Sequence, residues 1–227
     1  MKKYGKLDLR NCDCMELMRE APDNAWDLAI CDPPYGIARF GDRIDDSCRI
    51  AQSKINEWDK KPNQAFFKEV FRVSRNQIIW GANNFQLPPT EYFCIWNKKQ
   101  TVDNFASAEY AWVSMGLKAP AKVFEYSIHQ EMATRRSTGG KIHPTQKPVA
   151  LYRWLLQNYA KEGDKILDTH GGSMSIAIAC GEMKYDLTLS ELDEDYFNAG
   201  VERVKRHFEQ QDMFYDQPKL IVNGKEV

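Results

Sequence analysis

Apolar and polar positions along this chain fall into short blocks whose period switches between 2 and 3.6. "KLDLRN" (6–11) alternates weakly and predicts a short strand, and "CMELMREA" (14–21) follows as a helix. "WDLAIC" (26–31) is an apolar run with the look of a buried strand. "NQAFFKEVFRVSR" (63–75) predicts an amphipathic helix with Phe66, Phe67, Val70 and Phe71 on one face. "QIIWGA" (77–82) and "YFCIWN" (92–97) predict strands, and "AEYAWVSM" (108–115) with "AKVFEYS" (121–127) a further hairpin-like pair. "KPVALYRWLLQNYA" (147–160) predicts a helix opened by Pro148 in its first turn. Then come a strand "KILDTH" (165–170), a helix "SMSIAIACGEM" (173–183) and a strand "YDLTLSE" (185–191). A helix over 193–208 closes the series, with Phe197, Val201, Val204 and Phe208 facing inward. Strands alternating with helices predict an α/β fold: a doubly wound, mostly parallel sheet. A single domain over 1–227 is expected, interrupted by two long polar segments at 36–61 and 127–142.

Composition narrows the class without naming a function. With 227 residues, 43% hydrophobic and 28% charged, the chain can bury a real core. Its net charge of −1 lacks the overall basic balance that advertises a nucleic-acid binder. Local basic groups remain: Arg43, Arg49 and Lys54; Lys60 and Lys61; Lys98 and Lys99; Arg135, Arg136 and Lys141. Each taken singly reads as a solvated face. The six cysteines form no CxxC pair, which argues against a disulfide framework and a structural zinc, and for a reducing cytoplasm. No metal is expected. No apolar run approaches a membrane span, and no targeting segment is predicted.

Candidate chemistry sits where strands end. After "WDLAIC" comes Asp32-Pro33-Pro34-Tyr35. Two prolines fix φ and remove donors, so they end the strand and hold a carboxylate and an aromatic ring in a stiff loop. A second group begins at Asp168, which ends an apolar strand and precedes Gly171, Gly172 and Ser173 at the start of a helix. Glu191 ends the next strand, where an acidic residue meets ribose hydroxyls in nucleotide-binding units. A nucleoside-containing cofactor fits this pattern. The G-x-G-x-x-G dinucleotide fingerprint is absent, which disfavours a nicotinamide dehydrogenase. Taken alone, Asp168 reads equally well as a helix cap, and DPPY as a packed proline turn.

Together these stretches resemble the S-adenosylmethionine-dependent amino methyltransferases of DNA, in the permuted group whose catalytic motif precedes the cofactor motif. "DPPY" resembles the catalytic motif, "HPTQKP" (143–148) the segment before the cofactor half, "ILDTHGGSMS" (166–175) the cofactor loop and "LSELDEDYF" (189–197) the ribose-binding strand end. "LRNCDCMELM" (9–18) is similar to the strand and helix that open the permuted form. The resemblance implies a class I methyltransferase fold, S-adenosylmethionine as cofactor (S-adenosylhomocysteine as product), and double-stranded DNA as partner. It also implies a homodimer and a phage-like or orphan enzyme. Asp32 and the Pro33 carbonyl would accept from the target amine, with Pro34 stiffening the loop and Tyr35 stacking on an extruded base. Asp168, Gly171, Gly172 and Ser173 would hold the methionine part of the cofactor, Glu191 its ribose and Asp13 its adenine. Thr145 and Lys147 would lie near its carboxylate. Arg135, Arg136 and Lys141 would contact DNA. Asp32 at the head of the motif favours N6 of adenine, since serine more often begins the N4-cytosine version. The alternatives are N4 of cytosine and a binding protein without transfer activity. Three residues depart from the family pattern: Thr169, His170 and Met174, the last where the cofactor loop usually has glycine.

Overall fold

The structure is a computed structural model that describes residues 5–36, 59–101, 103, 106–127, 129–131, 140–210 and 217–227. Its strands are β1 (Lys6–Asn11), β2 (Trp26–Cys31), β3 (Ser74–Trp80), β4 (Phe93–Asn97) and β5 (Ala108–Val113), then β6 (Lys122–Glu125), β7 (Lys165–Asp168), β8 (Asp186–Glu191), β9 (Lys219–Val222) and β10 (Lys225–Glu226). Its longer helices are α1 (Cys14–Glu20), α2 (Gln64–Val73), α3 (Val149–Tyr159), α4 (Ser175–Met183) and α5 (Glu194–Glu209). All ten strands join one sheet in the order β10-β9-β1-β8-β7-β2-β3-β5-β4-β6. Only β5 and β10 run against their neighbours. The fold is an α/β sheet, mostly parallel and covered by helices on both faces, as expected.

The sheet separates two cores, and the alternation of side chains along the central strands decides which core each residue joins. Leu28 and Ile30 of β2 pack on one face with Ile78, Trp80 and Ile166, beneath α3, α4 and α5. Ala29 and Cys31 pack on the other with Ile79 and Leu167, against α1 and α2. A strand buried on both faces must be apolar at every position, which explains the unbroken run at 28–31. Asn63 caps α2, its side chain accepting from the Ala65 and Phe66 amides, and α2 turns Phe66, Phe67, Val70 and Val73 inward. Phe71 is only partly buried, packed edge-on against Trp112.

Three expectations change. The stretches 108–115 and 121–127 do not pair with each other: β4 lies between them, antiparallel to β5 and parallel to β6. The link between them holds a 3-10 turn (Met115–Leu117) and Lys118 at φ 47°, and it carries β6 over to the far side of β4. Pro148 is the residue before α3 rather than inside its first turn. Finally, β9 and β10 form a C-terminal hairpin that periodicity does not predict, with Asn223 and Gly224 at φ 47° and 79° in its turn. Two central residues with positive φ are what the favoured two-residue hairpin turn requires.

Candidate active site

The strand order places a topological switch point between β7 and β2. From β7 the chain passes through α4 to β8 on one side; from β2 it passes through α2 to β3 on the other. Ligands of open α/β sheets bind beyond the carboxyl ends of the strands at such a point. The pairing Ala29↔Leu167 sets the two strands in register, so Asp32 and Asp168 leave adjacent strands at the same edge. Glu191 ends β8 opposite Asn11 of β1, and Asp13 follows two residues later. The two motifs are thus neighbours in space although 136 positions separate Asp32 from Asp168.

On the β7–β8 side the residues form a small polar cradle. Asp168 is buried, and its Oδ1 accepts from the His170 amide at 3.0 Å. Burial pushes its carboxyl up to about 7; the His170 amide opposes this, while the Asp32 and Glu191 carboxylates add to it. A buried acid with two acidic neighbours is a place that gains from a cation. Glu191 accepts from the Gly172 amide at 2.7 Å and the Asp193 amide at 2.9 Å, which ties the glycine turn to the end of β8. Gly171 has no room for a Cβ, which would lie 2.4 Å from Leu189 Cδ2. Ser173 is buried, its hydroxyl 3.1 Å from that of Ser175. Met174 adopts φ 56° and is wholly buried. Its side chain fills the space over Gly200 of α5, where an added Cβ would meet Met174 Cγ at 2.7 Å. The departure from glycine therefore points into the core and leaves the cradle its shape.

Asp13 caps α1, accepting from the Met15 amide at 2.7 Å, and stays exposed at the edge beyond β1. Thr145 is exposed, and its amide and hydroxyl lie 3.4 and 3.2 Å from His143 Nδ1. The His143 ring stands edge-on to Tyr196 at 4.4 Å and close to Gly172. Burial and the nearby Lys147 push the His143 imidazole down to about 3. Leu192, beside Glu191, is 72% exposed, an apolar face next to the cradle. Sequence reading named neither His143 nor Leu192 as a site residue. Arg203, also unnamed, is buried under the glycine turn and donates to the Ser173 carbonyl at 2.5 Å and the Ser175 hydroxyl at 3.0 Å.

On the β2 side, Asp32 has both oxygens engaged. Oδ1 accepts from the Tyr35 hydroxyl at 2.7 Å and Oδ2 from Lys147 Nζ at 2.5 Å. Pro33 is buried and Pro34 half-buried, so the loop backbone is packed. Tyr35 lies edge-on to Phe85 at 6.1 Å. Its ring runs over Gly81, whose φ of 65° and bare Cα make the approach feasible: a Cβ there would sit 2.1 Å from Tyr35 Cε1. Burial, then Asp32 and Glu109, carry the Tyr35 hydroxyl well above its usual pKa, so it is a donor at every working pH.

Lys147 is buried beside the Asp32 loop. Its ammonium stands on Asp32 and on Glu109 Oε2 at 3.1 Å, and it lies 5.5 Å from the Trp80 ring. It is thus held on the Asp32 side of the site. The reason is charge: burial would lower a lysine, but two carboxylates hold this one above its usual range. Arg135 and Arg136 lie outside the described residues, as does most of both polar segments. Lys141 is half-buried, close enough to His143 to contribute to its depressed pKa. Among the described residues no cluster of acidic, histidine or cysteine side chains has metal-site geometry, and no helix is long and apolar enough to cross a membrane.

Known proteins resemble this chain in sequence and in fold. YubD of Escherichia coli (strain K12) is 26% identical over 221 residues, covering 85% of this chain and 87% of that protein. The type II methyltransferase M2.MboI of Moraxella bovis is 26% identical over 230 residues, covering 79% and 82%. The solved M1.HpyAVI–SAM complex superposes with a TM-score of 0.55 at 16% identity, over 87% of this chain and 99% of that one. The PvuII cytosine-N4-specific DNA methyltransferase does so at 0.57 and 14%, over 94% and 92%. Residues 58–202, which include the 143–148 segment, the glycine turn and Glu191, match the N6/N4 methyltransferase family described as DNA methylase; the chain belongs to that DNA methylase family.

Proposed function

We propose that this protein transfers a methyl group from S-adenosylmethionine to the exocyclic N6 of adenine in DNA. The observation that carries the reading is the meeting of Asp32 and Tyr35 with the Asp168–Gly171–Glu191 cradle at one switch point. The cradle suits the cofactor group by group: a buried acid for its ammonium, glycine backbone for close approach, Glu191 for ribose hydroxyls, and the bare face of Leu192 for adenine. Asp13 stands at the same edge of the sheet for the adenine amine. When bound, the cofactor supplies an electrophilic methyl: the amine lone pair forms the N–C bond as the C–S bond leaves its electrons on sulfur, and the amine proton passes to solvent.

The chain's own residues act on the amine. Its lone pair is delocalised into the ring, so acceptors aimed at its N–H groups favour a more tetrahedral nitrogen. Asp32 and the Pro33 carbonyl are those acceptors; proline offers a carbonyl with no competing N–H. Tyr35 keeps the extruded base flat and, through its hydroxyl, orients the Asp32 carboxylate. Positioning and fixed charge supply the catalysis. Arg135, Arg136 and Lys141 contact the DNA backbone and base edges, and two copies of the chain act together on duplex DNA. Asp32 at the head of the motif supports adenine over cytosine. Mass spectrometry of nucleosides from DNA incubated with protein and cofactor tests the reading. N6-methyladenine is expected, lost in Asp32→Ala while cofactor binding persists. N4-methylcytosine would move the target to the other base, and no methylated nucleoside would reject the assignment.

A further inference from the structure

Beyond Lys147 the charges continue. Glu109 Oε2 lies 3.1 Å from Lys147 Nζ and its Oε1 2.5 Å from Lys98 Nζ, so Asp32, Lys147, Glu109 and Lys98 alternate in sign across the site. Glu109 reaches this place because β5 is the sheet's interior antiparallel strand: it begins at the edge where its parallel neighbours end. The Gly81 amide, at the end of β3, holds it there by donating to the Tyr110 carbonyl at 2.9 Å. Burial would raise the Glu109 carboxyl, but Lys147 and Lys98 bring it down to about 2, so it is ionised whenever the protein is folded.

We propose that Glu109 is a positioning residue for methyl transfer, acting through Lys147 to leave Asp32 electron-rich toward the target amine. The proposal rests on the reading of Asp32 as that amine's acceptor. In the transfer the positive charge leaves sulfur and appears on the amine nitrogen, which then gives up a proton. An acceptor beside that nitrogen works best with net negative charge around it. An ammonium bonded directly to Asp32 opposes this. Glu109 sits on the other side of the same ammonium, 3.1 Å from it against 2.5 Å for Asp32, and makes the innermost three charges sum to one negative. Without the Glu109 charge, Asp32 is fully matched by Lys147, and Lys98 adds a further positive charge nearby.

The test is Glu109→Gln, close to isosteric, with single-turnover methyl transfer measured at saturating cofactor and DNA, cofactor affinity by calorimetry, and melting temperature. The expected result is a rate at least tenfold below the parent, with affinity and melting temperature unchanged. A rate within threefold of the parent overturns the proposal. So does a rate that falls only in step with affinity or melting temperature, since that is a structural role. Should the single variant not fold, Lys98→Met/Glu109→Gln preserves the net charge and is read by the same criteria. Asp32→Ala is run alongside. If it retains turnover, the acceptor reading itself fails; if it is inactive while Glu109→Gln is fully active, only the role of Glu109 fails.

Discussion

Cofactor affinity should rise about tenfold between pH 6 and pH 8. The cause is Asp168, buried at the end of β7 with its carboxyl pushed up to about 7. Only its ionised form can pair with the cofactor's ammonium, so binding in this range expels the proton that the free protein holds. With a pKa of about 7 the ionised fraction is about one in eleven at pH 6 and about ten in eleven at pH 8. The ratio of about ten corresponds to about 1.4 kcal/mol of binding free energy. The window closes near pH 8, where an α-amino group begins to lose its own proton. His143 and His170, pushed down to about 3 and about 4, stay neutral throughout and add no slope. Calorimetric titrations in two buffers of different ionisation enthalpy should show about half a proton released per cofactor bound at pH 7. Asp168→Asn should bind weakly and with a flat pH profile. A parent affinity independent of pH, with buffer-independent heats, would refute the reasoning. The same group has a consequence for stability without ligand. Its folded pKa lies above its unfolded value, so the folded state keeps a proton that the unfolded state has lost. Its contribution therefore weakens as pH rises from about 4 to about 7.

Gly81→Ala should place a Cβ against the Tyr35 ring and force it aside, cutting turnover more than tenfold while calorimetry shows cofactor binding intact; parental turnover would mean the ring position is irrelevant. Met174→Gly relieves a left-handed backbone costing roughly 1–2 kcal/mol but empties the space over Gly200, for which roughly 2–5 kcal/mol is typical. Denaturant unfolding should show a net loss of about 1–3 kcal/mol, and a gain in stability would contradict the packing argument. Arg135→Ala/Arg136→Ala should flatten the dependence of log affinity for DNA on log salt by about 1.8 if both residues meet phosphates. An unchanged slope assigns those arginines to solvent.

The strands that carry the site could be read from the chain because their constraint is local. A strand packed on both faces needs an apolar residue at every step, and 28–31 and 166–167 supply it up to the acid that follows each. Where a residue's role depends on a distant partner, the chain is silent. Lys147 reads as the start of a helix until Asp32, 115 positions away, and Glu109 are seen to flank it. Glu109 lies inside a plain strand pattern, and only the reversed direction of β5 brings it to the site. Met174 looks like damage to a glycine loop until Gly200, on another helix, is found to receive it. The C-terminal hairpin is a different case. Its Asn223–Gly224 turn is a strong local signal, but flanking strands of four and two residues are too short to show a period.

The position of β1 bears on how the molecule can be made. Leu7 pairs with Leu187 and with Leu220, so this early strand lies between two that are translated long after it. At about 5–20 residues per second, the 180 residues separating Leu7 from Leu187 take roughly ten to forty seconds to emerge. Until then Leu7 and Leu9, both wholly enclosed in the finished sheet, have no sheet to enter. β1 thus emerges well before both of its partners and docks late, and during synthesis it is an open edge that a chaperone or a neighbouring nascent chain could occupy.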